Sequence, residues 1–263
     1  MCSDLKKRMD GNLETYDEVI TDFENLYLFP AEVIVLDRFR DQWSQFAVLD
    51  IGVGVGRTAW VFSQNTKSYE AIDYAPRRID QCHRLFAEAP DRKFSVGDAR
   101  NLSGYADESF DFVLFSYNGI DYIDHEGREA AMAEIKRVLK PGGWFFFSSH
   151  SLDVFPFNPP VADKLRGLLS PLGHLLRIRK RLKLKWRNRK VKVAEAKARG
   201  WACLVDYADA MMTYYIDPAR QIEQLKAMGY RVDSTWDTKG RPIGQGEADQ
   251  EWMIHYLVEK PFS

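Results

Sequence analysis

Residues Val48 to Thr58 place an acid and three glycines where a short apolar run gives way to a helix-like one: Val-Leu-Asp-Ile-Gly-Val-Gly-Val-Gly-Arg-Thr. Glycines spaced by two let a ligand lie against bare backbone, and the first turn of a following helix offers free N–H donors. That chemistry suits a phosphate or a nucleoside. The dinucleotide form G-x-G-x-x-G needs glycine at position 57, where the chain has Arg57. Instead Gly56 follows Gly52 and Gly54 one residue early, with Asp50 just ahead of them. Two more acids close apolar runs downstream, Asp73 after Tyr69 to Ile72 and Asp98 after Phe94 to Gly97. A carboxylate at a strand end can accept from two adjacent ribose hydroxyls, and helix capping is the competing role for either acid. Both acids lie beyond the same glycine loop, at strand ends where the ligands of parallel sheets sit.

Two further segments complete an ordered series. Phe110 to Asn118 reads as a fourth strand, and Glu134 to Gly143 as a helix stopped by Leu-Lys-Pro-Gly-Gly before a fifth strand, Trp144 to Ser149. The series resembles the class I S-adenosylmethionine (SAM) dependent methyltransferases, closely over about residues 45–150 and more loosely over about 205–260. The resemblance implies an α/β fold with a seven-stranded doubly wound sheet, order 3-2-1-4-5-7-6, and SAM at its C-terminal edge. It implies that Asp50, Gly52, Gly54 and Gly56 cradle the cofactor and that Arg57 faces its methionine carboxylate. Asp73 then meets the ribose and Asp98 the adenine amino group, with Tyr74, Ala99 and Ser116 beside them. In such enzymes an aromatic from N-terminal helices often closes the methionine end; Tyr16 is the candidate, with a core-facing role as the alternative.

The elements that must position these groups are legible from periodicity. Residues 13–43 read as two helices, Leu13, Tyr16, Ile20 and Phe23 at helical spacing and then Val33, Ile34, Leu36 and Phe39 after Pro30. Strands alternate with helical segments, the pattern of a parallel doubly wound sheet. Near the end Met211 to Ile216 reads as the sixth strand, Pro218 to Met228 as a helix stopped by Gly229, and Glu251 to Val258 as the seventh strand. Residues 1–150 and 206–263 are expected to form the SAM-binding domain, and 151–205 an inserted cap.

Residues 164–192 carry twelve Lys and Arg and no Asp or Glu, so the rest of a chain of net charge −1 carries −13. Leu165, Leu168, Leu169, Leu172, Leu175, Leu176 and Leu182 thread a basic amphipathic helical insertion, broken at Ser170-Pro171. Packing on the domain is one reading; an anionic partner, such as an anionic membrane surface, is the other. A near-neutral charge over the whole chain and no recognisable RNA-binding module disfavour nucleic acid, and no obligate protein partner is evident. Cys2, Cys82 and Cys203 are odd in number and without metal-ligand rhythm, so reduced thiols, no metal, and a cytoplasmic protein, peripheral to a membrane at most, are expected. No window approaches 18 consecutive apolar residues, and the charged N-terminus does not read as a signal peptide.

Methyl transfer from a sulfonium needs alignment in a dry site more than it needs acid–base help. A hydroxyl acceptor on a small molecule or glycan still needs a base. Ser116, Tyr117, Asn118, Asp121 and His150 end strands four and five and face the acceptor side, and His150 is the candidate base with Tyr117 beside it. A loop-bonding role for His150 is the alternative, and His125 is expected to cap or decorate the next helix. Asn158-Pro159-Pro160-Val161 comes after the wrong strand for an amine-gripping motif, and Val161 cannot stack. Tyr256 and Lys260 match a dehydrogenase pair in spacing, but on a strand they lie about 13 Å apart. A nucleotide-cofactor oxidoreductase and a nucleic-acid methyltransferase or RNA-binding module are therefore the weaker readings.

Overall fold

The computed structural model describes residue 12 and residues 27–153, 178–179, 182–183, 186–189, 191–205, 211–244 and 251–262. Tyr16, the Asn158 to Val161 run and most of the basic insertion lie outside these. Seven strands form one sheet: β1 (Ala47–Ile51), β2 (Ser68–Asp73), β3 (Arg92–Val96), β4 (Phe110–Phe115), β5 (Leu139–His150), β8 (Arg231–Trp236) and β9 (Met253–Glu259). Their order is β3-β2-β1-β4-β5-β9-β8. The first five strands are parallel, and β9 runs antiparallel to both β5 and β8.

Period-two alternation sends residues of one strand to opposite faces, and both faces are covered. Leu49, Ile51, Val113, Phe145 and Phe147 pack on one side with Ala131, Met132, Ile135 and Val138 of helix α4 (His125–Val138) and Leu225 of α6 (Pro218–Ala227). Val48, Phe112, Leu114 and Phe146 pack on the other with Ala31, Val35 and Phe39 of α1 (Pro30–Phe39) and Ile79 and Cys82 of α3 (Pro76–Leu85). A helix on each face explains why β1 is buried along its whole length. Helix α1 begins at Pro30, a residue suited to a first turn, but its buried face is Ala31, Glu32, Val35 and Phe39, with Val33 left exposed.

Three details differ from the sequence reading. Met212–Ile216 (β7) is not in the main sheet; it pairs antiparallel with Trp201–Val205 (β6) in a separate two-stranded sheet. The strand that completes the seven is β8, whose Arg231, Asp233, Ser234 and Thr235 disguise an edge strand as a loop. The pattern 3-2-1-4-5-7-6 therefore survives with a different penultimate strand. Pro141-Gly142-Gly143, read as a turn, lies in the opening residues of β5, because α4 stops at Val138 and pairing with β4 begins at Leu139. A register irregularity between Phe110 and Phe112 absorbs this early start.

The β6–β7 pair is attached at the C-terminal end of β5. Ser151 bridges to Ile216, and the Leu152 amide donates to the Ile216 carbonyl at 3.0 Å. His125, the first residue of α4, meets the Tyr214 hydroxyl at 2.7 Å through Nδ1 and stacks on Trp201 at 4.3 Å. It ties the small sheet to the domain, while Asp124 is the helix cap, accepting from the Gly127 amide.

Candidate functional site

The chain leaves β1 through Gly52, Gly54 and Gly56, all at positive φ (67°, 56° and 87°). That left-handed backbone is what the residue type is for. A Cβ on Gly52 would meet Phe115 at 2.8 Å and one on Gly56 would meet Phe86 at 2.6 Å. These two glycines let the loop settle against its own core. Gly54 is at the centre, and its amide donates to the Asp73 carboxylate at 2.8 Å; the Ala75 amide donates to the other oxygen at 2.9 Å. The ends of β1 and β2 are thus tied by one buried acid, with half-buried Tyr74 next to it.

Asp50 sits beneath the loop, 1% exposed, accepting from the Thr58 hydroxyl at 2.5 Å and the Tyr69 hydroxyl at 2.7 Å. It braces the loop from inside the core. Burial pushes its carboxyl up to about 7 despite these two donors. A carboxyl raised by folding contributes stability while protonated, so that contribution is fully present below about pH 4 and declines to a plateau above about pH 7. Asp50→Asn, which cannot ionise, should gain on the wild type by roughly 2–3 kcal/mol in unfolding free energy between pH 5 and pH 8. Urea titrations at the two pH values check this, and a pH-independent difference would remove the ionisation of Asp50 from the balance.

Arg57 follows the last glycine. Its guanidinium makes a two-pronged ion pair with Glu32 of α1 (2.6 and 2.7 Å) and donates to the Ser116 hydroxyl at 3.2 Å and the Tyr27 carbonyl at 3.2 Å. Glu32 is fully buried and also accepts from Ser116 and from the Phe29 amide. The guanidinium lies 5.6 and 5.7 Å from the ring centres of Phe29 and Tyr117, beside the pair, which stacks at 5.5 Å. Glu32 was not legible as a site residue, because its partner is 25 positions away and its spacing on α1 is that of a core residue. Ser116, by contrast, is where the sequence places it.

On the far side of the loop Asp98 is grasped by the Arg100 guanidinium and amide, at 2.7 to 3.0 Å. Burial opposes its charge, yet the Arg100 hydrogen bonds hold its carboxyl below the usual range. An ionised acceptor at that place suits an amino group, and Ala99 beside it is buried. Cys82 donates its thiol to the Gly54 carbonyl at 3.3 Å, and burial pushes that thiol up to about 12, so it is no nucleophile.

The rest of the candidate site is built at the ends of β4 and β5. Tyr117 and Asn118 are consecutive non-glycine residues at positive φ (53° and 59°), a conformation that costs energy and persists where the surroundings enforce it. The Asn118 amide is fixed by the Ser148 hydroxyl at 2.9 Å. Tyr117 is 59% exposed, so its ring faces outward from the sheet edge. His150 is held at Nδ1 by the Asp121 carboxylate at 2.7 Å, and its own backbone amide donates to the same oxygen at 2.6 Å. A carboxylate can only accept, so Nδ1 carries the hydrogen and Nε2 is left with a lone pair, 3.2 Å from the Asn118 amide nitrogen. The rings of Tyr215, from β7, and Trp252 lie 5.0 and 5.8 Å from the imidazole.

Asp121 is itself completely buried, accepting from Arg128 and from the Ser149 hydroxyl, and Arg128 also donates to Gln221 of α6 at 2.7 Å. Arg128 lies 4.4 Å over the Tyr214 ring. His255, inside β9, is buried without exposure, and burial takes it down to about 4. The dehydrogenase-like pair is absent: Tyr256 is buried within β9, while Lys260 donates to the Leu139 carbonyl at 2.7 Å.

These residues fit a nucleoside cofactor on this structure's own terms. An ionised acceptor, a strand-end acid and a left-handed glycine loop converge on one sheet edge. Beside them Asn118 Oδ1 is buried with no hydrogen-bond partner among the described residues. Among the described residues no group of three or more His, Cys, Asp or Glu is placed to hold a metal ion.

Comparison with known proteins agrees. Residues 48–143 match the family model described as a methyltransferase domain. The ubiquinone biosynthesis O-methyltransferase of Paracidovorax citrulli is 30% identical over 127 residues, 46% of this chain and 52% of that protein. Phthiotriol/phenolphthiotriol dimycocerosates methyltransferase 1 of Mycobacterium ulcerans is 32% identical over 169 residues, 64% and 56% of the two chains. The chain thus spans about half the length of the curated relatives it matches. Among solved structures, the 1,6-didemethyltoxoflavin-N1-methyltransferase of Burkholderia thailandensis, with its substrate and S-adenosylhomocysteine bound, superposes with a TM-score of 0.59 at 15% identity, covering 99% and 89%. Residues 48–143 thus match a methyltransferase domain, and the chain has the Rossmann-like fold of the class I S-adenosylmethionine-dependent methyltransferases.

Proposed function

We propose that this chain methylates an oxygen or nitrogen of a small molecule or glycan, an anionic or lipid-linked one, with His150 as general base. Bound SAM would supply a methyl group activated on a sulfonium. The observation that carries the reading is the Asp121–His150 pair at the end of β5, with Nε2 as a lone-pair acceptor. His150 would take the acceptor proton at Nε2 in the place the Asn118 amide now fills, and Asp121 would stabilise the resulting imidazolium. Asp73 would grip the ribose and Asp98 the adenine amino group. Arg57 would meet the methionine carboxylate, sharing its charge with Glu32. Tyr117 would wall the acceptor side, and residues 151–205 would cap it.

The acceptor class rests on the basic segment 164–192 and on the relatives, whose names include a ubiquinone biosynthesis O-methyltransferase and a phthiotriol dimycocerosates methyltransferase. A cytoplasmic protein peripheral to a membrane is consistent with both. Among the described residues no helix is long and apolar enough to cross a membrane. Incubation with SAM and a panel of anionic and lipid-linked alcohols, phenols and amines tests the proposal. Acceptor-dependent release of S-adenosylhomocysteine is expected; hydride exchange with a nicotinamide cofactor and no such release would overturn it.

A further inference from the structure

The described parts of the basic insertion show something its charge count does not. Residues 178–179, 182–183 and 186–187 are helical, and Ile178, Leu182 and Trp186 recur within them at every fourth position, the sequence spacing of one helix face. They are exposed by 41%, 62% and 64%. Three large apolar side chains left outside on successive turns are unlike the scattered single exposures of an ordinary surface. Arg179 and Lys183 are exposed one position further round, with half-buried Arg187 continuing the row. Arg189, also exposed, lies 4.4 Å over the Trp186 ring.

We infer that this segment docks on the surface of an anionic lipid bilayer, with Ile178, Leu182 and Trp186 entering the headgroup and acyl boundary and the neighbouring cations meeting lipid phosphates. The charge selects an anionic partner, since residues 164–192 hold no acid. The apolar row selects a bilayer among anionic partners. A nucleic-acid backbone would reward the cations and gain nothing from isoleucine and leucine, whereas an interfacial helix uses both faces. An indole at the rim of such a row suits the interface, where one end of the ring is apolar and the other wet. The same segment is joined to the active edge through β6, whose partner β7 carries Tyr215 against His150. Docking would bring a membrane-held acceptor to the side where the base lies. That purpose rests on the methyl transfer proposed above, but docking itself needs no cofactor, so vesicle binding and turnover can fail separately.

Co-sedimentation of the full chain with vesicles of phosphatidylcholine alone, and of phosphatidylcholine with phosphatidylserine, tests the inference in the absence of SAM. Binding is expected to the mixed vesicles only, and to weaken as salt is raised. Leu182→Ser with Trp186→Ser should lower the affinity at least tenfold while leaving the cation count unchanged. Arg179→Gln with Lys183→Gln and Arg189→Gln should lower it at least tenfold too, since each surface cation is worth about fivefold. Circular dichroism and retained S-adenosylhomocysteine binding show that the variants fold. Binding to neither vesicle, or binding lost with the cations but untouched by the apolar substitutions, would overturn the inference. The second outcome, together with tight binding to an RNA oligonucleotide, would assign the segment to nucleic acid.

Discussion

His150→Gln is expected to lower kcat by about two to four orders of magnitude on a hydroxyl acceptor while leaving S-adenosylhomocysteine affinity within about twofold. The size follows from the job. A hydroxyl must lose its proton as the methyl group arrives, and His150, held at Nδ1 by Asp121 with Nε2 beside the Asn118 side-chain amide, is the proposed base. Asp121→Asn should reproduce part of the loss, because an amide can donate to Nδ1 and so invite the tautomer that places hydrogen on Nε2. The signature is a fall in kcat with a small change in KM for the acceptor, read by initial rates. An amine acceptor, which carries its own lone pair, should respond far less. An undiminished kcat on a hydroxyl acceptor would leave His150 with the loop-bonding role alone.

Arg128→Met is expected to destabilise the fold by about 3–5 kcal/mol, among the largest single-residue effects in the chain. Arg128 and Asp121 are both without exposure, and removing the guanidinium strands a carboxylate that keeps only Ser149 and His150 as partners. The converse change, Asp121→Leu, strands Arg128 between Gln221 and the Tyr214 ring with the same order of cost. Making both changes together should recover a large part of the stability, since neither charge is then left alone. The double variant should nonetheless stay as slow as His150→Gln, having lost the group that orients the imidazole. Urea unfolding of the two single variants and the double one closes the cycle. A strictly additive double variant would mean that the two groups do not act as a pair.

Much of this site was legible because strand-end chemistry is local. The glycine loop, Asp50, Asp73, Asp98, Ser116 and His150 all follow short apolar runs, and a parallel sheet delivers such residues to a common edge. Edge strand β8 was not legible, because a strand with one face toward solvent and an Arg, an Asp, a Ser and a Thr among its six residues has the composition of a loop. The opposite error befell Met212–Ile216, an apolar run good enough for the main sheet, which pairs instead with a strand inside the insertion. Glu32, Arg128 and Gln221 were invisible for another reason. Each lies on a helix at a position that periodicity assigns to the core, and their partners, Arg57, Asp121 and one another, come from elsewhere in the chain. Spacing can say that a polar residue is buried, but long-range pairing decides with whom.

Calorimetric titration of S-adenosylhomocysteine into the wild-type chain and into Asp73→Ala, with NAD(H) and NADP(H) as controls, tests most directly that this sheet edge is a SAM site. One saturable site is expected for the nucleoside on the wild type, with no heat from either dinucleotide. Asp73→Ala should bind at least tenfold more weakly, for the loss of a charge-assisted contact worth about 1.5–3 kcal/mol and of the Gly54 anchor it provides. Binding of a nicotinamide dinucleotide in place of S-adenosylhomocysteine, or an Asp73→Ala affinity equal to the wild type's, would contradict the assignment.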